Sequence, residues 1–313
     1  MNEKELTYWM ALAHTGKITT SRKNQILVAC FERQKSLGDF FMSDEHAWKN
    51  DYALDLMEEE ESLLLEAKGK LPNYSFQAED LLEQGYCLIP ITAQEYPKSL
   101  KKHLKYKAPI LLYTKGNKAL LQKECTAIVG SRNAQQVSLD FTDEIANKIV
   151  KKDQVVVSGY AKGVDRQALD SALKYGGSSI VVLPQGITTF TSGYRSLYKE
   201  IRDGRILVMS TFVPKAPWSK GLAMARNSTV YALANSIYVA ESDSHGGTWE
   251  GVNAGLKIKG YTIYVRIPNT NEKNANMQLI QKGAIAVDSH GNPVDFHGNP
   301  NTKPPIEPSL PFQ

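Results

Sequence analysis

The run Ala127-Ile128-Val129-Gly130 leads into Ser131-Arg132-Asn133, and Val155-Val156-Val157-Ser158-Gly159 leads into Tyr160-Ala161-Lys162-Gly163. Each is a short, apolar, β-branched run that stops at small residues, and each is followed by a stretch with helical spacing. A strand that is apolar along its whole length is covered on both faces, the condition of strands in parallel sheets. The theme recurs at residues 179–183, 206–210, 236–240 and 261–266. Strands of this kind alternating with amphipathic helices predict an α/β fold, a doubly wound and mainly parallel sheet, over residues 123–287.

On the N-terminal side the period changes. Leu6, Trp9, Met10, Leu12 and Ala13 recur at helical spacing, as do Ile26, Leu27, Ala29, Cys30 and Phe31, with Thr15-Gly16-Lys17 as a turn between them. Residues 1–74 therefore read as a small helical N-terminal domain, and the run Glu58 to Glu61 reads as a solvated helix face that would repel nucleic acid. Residues 75–122 form a connecting segment with strand-like pieces at 86–91 and 110–114, interrupted by Tyr96-Pro97 and Ala108-Pro109. Residues 288–313 are rich in Asn, Gly and Pro and read as a flexible C-terminal tail.

With 42% hydrophobic and 22% charged residues in a chain of 313, disorder and fibrous architectures are excluded. No apolar run approaches the roughly 20 residues of a spanning helix, and residues 1–6 carry no cationic segment with an apolar stretch behind it, so a cytoplasmic location without a membrane is expected. Cys30, Cys87 and Cys125 lie too far apart to suggest a zinc site or a disulfide framework, and no metal or cofactor is expected. The balance of 37 basic against 33 acidic residues permits a polyanionic partner without requiring one.

Ligands of doubly wound sheets collect at the carboxyl ends of strands. After the first run come Gly130, Ser131 and Arg132, with the positive end of a helix starting near Ser138. After the second come Ser158, Gly159, Lys162 and Gly163, with Asp165 suited to a helix cap. Further on, Arg226 and Asn227 stand among small residues as an exposed cation and its neighbour, and Gly246, Gly247 and Thr248 form a second candidate anion nest beside His245. Neither the three-glycine dinucleotide fingerprint nor a Walker P-loop is present. Arg or Lys beside glycine at several strand ends predicts one positive, phosphate-binding pocket.

These motifs, in this order, resemble the DNA-processing protein A (DprA/Smf) family. The resemblance runs from Gly85-Tyr86-Cys87-Leu88-Ile89-Pro90 and Tyr96-Pro97-Lys98-Ser99-Leu100, through Ala127-Ile128-Val129-Gly130-Ser131-Arg132 and Ser158-Gly159-Tyr160-Ala161-Lys162-Gly163-Val164-Asp165, to Val181-Val182-Leu183-Pro184-Gln185-Gly186, Arg226-Asn227 and Asn276 with Leu279-Ile280. It implies a Rossmann-like domain that binds single-stranded DNA without hydrolysing it, acts as a homodimer, and in natural transformation hands strands to the RecA recombinase. Carried over residue by residue, it places Gly130, Ser131, Arg132, Ser158, Gly159, Lys162, Gly163, Arg226 and Asn227 in the phosphate pocket. Departures are Leu169, Thr211 after Ser210, Ser228 after Asn227, and Gly246-Gly247-Thr248-Trp249, all of which mark a divergent member. The alternative is a nucleotide-binding enzyme or sensor of the lysine-decarboxylase-like phosphoribohydrolase type, with Glu250 behind Gly246-Gly247-Thr248. Nothing in the spacing makes Asp165, Glu241 and Glu250 converge as catalytic acids. Tyr160 is a candidate for base stacking or for packing on a neighbouring helix.

Overall fold

The protein is described by a computed structural model covering residues 3–258 and 260–295. The chain begins with α1 (Glu3–His14), α2 (Thr20–Glu32), α3 (Leu37–Met42), α4 (Glu45–Asn50), α5 (Glu58–Gly69) and α6 (Leu71–Glu83). Then come β1 (Cys87–Pro90), α7 (Lys98–Leu104), β2 (Leu111–Gly116), β3 (Cys125–Val129), α8 (Gln136–Lys151), β4 (Val155–Ser158), α9 (Val164–Lys174) and β5 (Ser179–Val182). After them follow α10 (Thr191–Ser196), α11 (Tyr198–Arg202), β6 (Ile206–Ser210), α12 (Lys220–Leu233), β7 (Ser236–Val239), α13 (Gly246–Gly255), β8 (Thr262–Arg266), α14 (Asn276–Gln281) and β9 (Ile285–Val287). All six of the predominantly apolar runs contain strands, as the period-free pattern requires.

The chain divides into two compact units, the described residues up to 124 with 178–233 and residues 125–177 with the described residues from 234 on. The first unit joins the helical front end to β1 and β2, so the stretch read as a connector contributes two paired strands. β1 runs antiparallel to β2, β2 antiparallel to β6, and β6 parallel to β5. Local chemistry sets the helices: Thr19 caps α2 by accepting from Arg22 N, and Ser36 with Asp39 closes a capping box on α3. The core of this module is aromatic, with Trp48 fully buried, its ring 5.1 Å from that of Phe40 and its indole N–H donating to Phe40 O. The acidic run is not simply a solvated face. Glu60 is buried and accepts a fork from Arg22, while Glu59 accepts from Lys17.

The second unit is parallel throughout, in the order β4-β3-β7-β8-β9. From the adjoining strands β3 and β7 the chain departs in opposite directions, through α8 to β4 on one side and through α13 to β8 on the other. That divergence makes the carboxyl ends of β3 and β7 the switch point of the sheet, the place where doubly wound sheets take ligands. Ile128 and Val156 from the sheet, Phe141 and Ile145 from α8, and Val164 and Ala168 from α9 make one core beneath it. Residues 288–295, read from composition as the start of a flexible tail, are anchored at Val294, which is buried and whose N–H donates to Ala286 O. Residues 296–313 lie outside the described residues.

His14 ties α1 to β2 of the same unit, its Nε2 lying 2.7 Å from the hydroxyl of buried Tyr113. Burial, followed by the charge of Lys23, lowers its pKa from 6.5 to about 4. An unfolded chain takes up the proton at about 6.5 while the folded chain refuses it until about 4, so stability falls as pH falls through that window. Urea unfolding of the wild type is expected to lose on the order of 1–2 kcal/mol between about pH 6.5 and 5, and a slope of this sign that survives in His14→Gln would show that another group is responsible.

Candidate functional site

At the carboxyl edge of the second unit, the chain leaves β3 at Gly130 and turns through Ser131 and Arg132. A methyl group on Gly130 would lie 2.5 Å from Val164 Cγ2 and 3.1 Å from Glu241 O, so the glycine is required by close packing of strand end on helix start. Ser131 is held on every side: its N–H donates to Glu241 O, its carbonyl accepts from Val164 N, and its Oγ accepts from Asn133 N. The hydroxyl offered by the sequence to a phosphate is thus engaged within its own turn.

The loop after β4 meets this turn through backbone. Gly163, at φ +76°, caps α9, and a methyl group there would lie 2.3 Å from Ser131 O and 2.7 Å from Arg132 O. The contact is built from carbonyls that cannot give way, and it sets Lys162 next to the residue touching the Arg132 turn. Both cations are exposed, and among the described residues neither has a hydrogen-bond or ion-pair partner. Ser158, at 0% exposure, has an Oγ without a hydrogen-bond partner, and Gly159 is buried behind it. Tyr160, at φ +59°, lays its ring 5.2 Å from the Arg166 guanidinium of α9 and accepts from its Nη1, so of its two candidate roles the structure shows the packing one. Asp165 is buried in the first turn of α9, one residue inside the helix rather than at the cap.

Glu241 follows β7 and turns inward. Its Oε2 accepts from Gln135 N at 3.0 Å and from Ser138 Oγ at 2.7 Å, so this buried carboxylate occupies the positive end of α8, which begins at Gln136. The α8 terminus expected to receive a phosphate is filled by the protein's own acid. Behind it, Arg266, 2% exposed, donates to Ser138 Oγ, to Ala240 O and in a fork to Glu272. Burial raises the Glu272 pKa, but hydrogen bonds from Arg266 and Asn269 N and the Arg266 charge outweigh it and hold the carboxyl below its ordinary value. Asn276 closes the network by donating to Ala240 O and Arg266 O and accepting from Ser242 N. Arg266 and Glu272 escape a reading of spacing; the signal present was a charged residue ending an apolar strand, which burial forces to find an acid.

Gly246, Gly247 and Thr248 open α13, directly after His245, with no acid in the helix's first turn. Gly246 takes φ +86° with open space where a side chain would stand. Glu250 comes one turn later and is exposed. Ten of the expected site residues lie in the second unit: Gly130 to Arg132, Ser158, Gly159, Lys162 and Gly163 on two loops in direct contact, and Gly246 to Thr248 after β7. Arg226 and Asn227 belong to the first unit. Arg226 is not an exposed loop cation: it sits within α12 and is 5% exposed, with Asn227 half-buried beside it.

Residues 87–296 match the sequence profile of DNA recombination-mediator protein A. The chain belongs to that family. It is 33% identical over 190 residues to DNA processing protein DprA of Streptococcus pneumoniae, covering 59% of this chain and 65% of that protein, just under two thirds of its length. Against the Bacillus subtilis protein of the same name it is 26% identical over 208 residues, covering 66% and 69%. The crystal structure of the pneumococcal protein superposes with a TM-score of 0.74 at 23% identity, over 93% of this chain and 96% of that one, which shows the fold. A structure describing the single-stranded DNA binding mode of DNA processing protein A from Helicobacter pylori superposes with a TM-score of 0.54 at 25% identity, over 64% and 90%. In this member of the family, two of the loop glycines are packing devices, and their replacement separates packing from ligand approach. Gly163→Ala is expected to lower the urea midpoint well beyond Gly246→Ala, because both carry left-handed strain of about 1–2 kcal/mol but only the first drives a methyl group into backbone. Equal losses would show that the contact between the two loops yields freely.

Proposed function

We propose that the carboxyl edge of the second unit binds single-stranded DNA through its phosphates. The observation that carries the reading is the pair Arg132 and Lys162, exposed and without partners among the described residues, on two loops locked together through Gly163. On the same edge Glu241 and Arg266 are buried and paired, the latter with Glu272, whereas Arg132 and Lys162 face solvent. The acid-free start of α13, after the neighbouring strand β7, adds backbone donors. Binding of single strand by the Helicobacter relative supports the polymeric form of the ligand. Homodimerisation and delivery of strands to RecA are parts of the same proposal and come from the family resemblance; a cytoplasmic site of action is proposed with them from the character of residues 1–6 and the short apolar runs.

Mobility-shift titrations with an oligonucleotide test it. Affinity is expected to fall with salt at a log-log slope of about −0.7 per phosphate contact. Arg132→Ala and Lys162→Ala should each weaken binding on the order of 1 kcal/mol or more without shifting the thermal midpoint, while Lys151→Ala and Lys152→Ala, exposed at the far end of α8, should do neither. Equal losses from pocket and control variants would indicate diffuse attraction rather than a site. Arg226→Ala belongs to a different class, because truncating a buried cation within α12 removes packing and is expected to lower stability first.

The protein is expected to have no turnover of its own. Glycosidic hydrolysis needs an acid free to donate or to activate water, and Glu241 is committed to Gln135 N and Ser138 Oγ. Chromatography of nucleoside monophosphates incubated with the pure protein checks this: release of free base that disappears in Glu250→Gln would replace the binding reading with the enzyme.

A further inference from the structure

The positive charge of this protein is concentrated in one segment. Residues 96–123 hold eight lysines and no acidic residue. Of 37 basic and 33 acidic residues in the chain, the other 285 positions therefore carry 29 and 33, a net −4, so the overall +4 arises from these 28 residues. Within the segment, Lys115 donates to Gln84 O and Lys118 pairs with Glu95. Lys98, Lys101, Lys102, Lys105 and Lys107 are exposed, and among the described residues none has an ion-pair partner.

Their placement follows from the helix period. Lys98, Lys101 and Lys102 lie three and four residues apart on α7 and share one face, while Leu100 on the opposite face is fully buried. Lys105 continues that row just beyond the helix, at φ +50° and ψ −125°, a conformation that non-glycine residues rarely hold. The segment is fixed rather than loose. Asn24 of α2 donates to Tyr106 O and Ala108 O, both at 2.9 Å, and His103 Nδ1 lies 2.9 Å from Ala232 O at the end of α12. Tyr106, 53% exposed, presents a ring among the lysines. Glu95, the acid nearest in sequence before the row, is spent on Lys118.

A solvated face ordinarily mixes both signs, and like charges three and four apart on a helix repel one another. A rigid row of lysines with an interleaved aromatic and no acid matches what a phosphate backbone requires of a protein surface. We propose that the lysine row of α7, with Lys105 and Tyr106, is a second contact surface for the sugar-phosphate backbone of a nucleic-acid strand. It rests on the reading of the second unit as a single-strand binder, and adds phosphate contacts on the first unit.

The test uses the full chain and a single-stranded oligonucleotide titrated between about 50 and 300 mM salt. Lys98→Gln, Lys101→Gln and Lys102→Gln are combined in one variant, the same positions are changed to Arg in a second, and a third carries Arg132→Ala with Lys162→Ala. The Gln variant is expected to bind more weakly with a shallower log-log slope, by about 0.7 for each lysine that touches a phosphate, and the Arg variant to keep the wild-type slope. Adding the Gln changes to the Arg132 and Lys162 variant should remove its residual salt-dependent binding. A wild-type slope in the Gln variant overturns the inference alone and leaves the loop edge standing. No single-strand binding by wild type at about 50 mM salt overturns both. Capture of wild type by phosphatidylserine vesicles, lost in the Gln variant while its oligonucleotide slope is unchanged, would assign the row to an anionic lipid surface and overturn it too.

Discussion

The carboxylate of Glu241 at the start of α8 is the interaction on which the functional edge depends. Reaching across from β7, it joins the turn after β3 to its own strand end, and Ser131 N reinforces the link from the other side. The guanidinium of Arg266 approaches the same Ser138 hydroxyl from β8 and is itself neutralised by Glu272. Removing one partner of such a buried pair typically costs 3–5 kcal/mol, because the other charge is left without water or counterion. The carboxyl ends of β3, β7 and β8 are thereby held as one rigid rim.

That internal anion decides how an external one can be met. Glu241 already takes the Gln135 N–H and the Ser138 hydroxyl at this helix start, and in the proposed reading the turn after β3 meets a ligand through the Arg132 side chain. In the same proposal the loop after β4 contributes Lys162, and the start of α13 a terminus with no acid in its first turn. Glycine serves two physical ends in these loops. At Gly130 and Gly163 the missing side chain lets backbone pack on backbone, whereas Gly246 faces open space and its freedom is conformational.

Charge is organised on a longer scale than the loops. The acids of α5, which look like a repulsive front, are partly consumed by Arg22 and Lys17 of the same unit. The lysines around α7 are left without such partners, so the modest net charge of the chain conceals a local field of one sign, and local fields rather than net charge steer a polyanion.

Composition and periodicity alone determined the α/β class, the six apolar strands, the helical front end and the strand ends worth interrogating, because a strand covered on both faces and a helix covered on one must write those periods into their residues. Gly130, Arg132, Lys162 and Gly246 were legible as loop residues for the same reason. Tertiary structure alone decided what each of them touches. Whether a glycine admits a phosphate or a neighbouring carbonyl depends on what lies 2–3 Å away, which for Gly163 is Ser131, thirty-two positions earlier in the chain. Whether an arginine is exposed or buried depends on which helix face meets the core, so Arg226 changed from a loop cation to a residue inside α12, and Arg266 and Glu272 acquired a role only when the fold set them within hydrogen-bond reach. Burial and charge pairing are properties of distance in space, and a sequence orders its residues along a line.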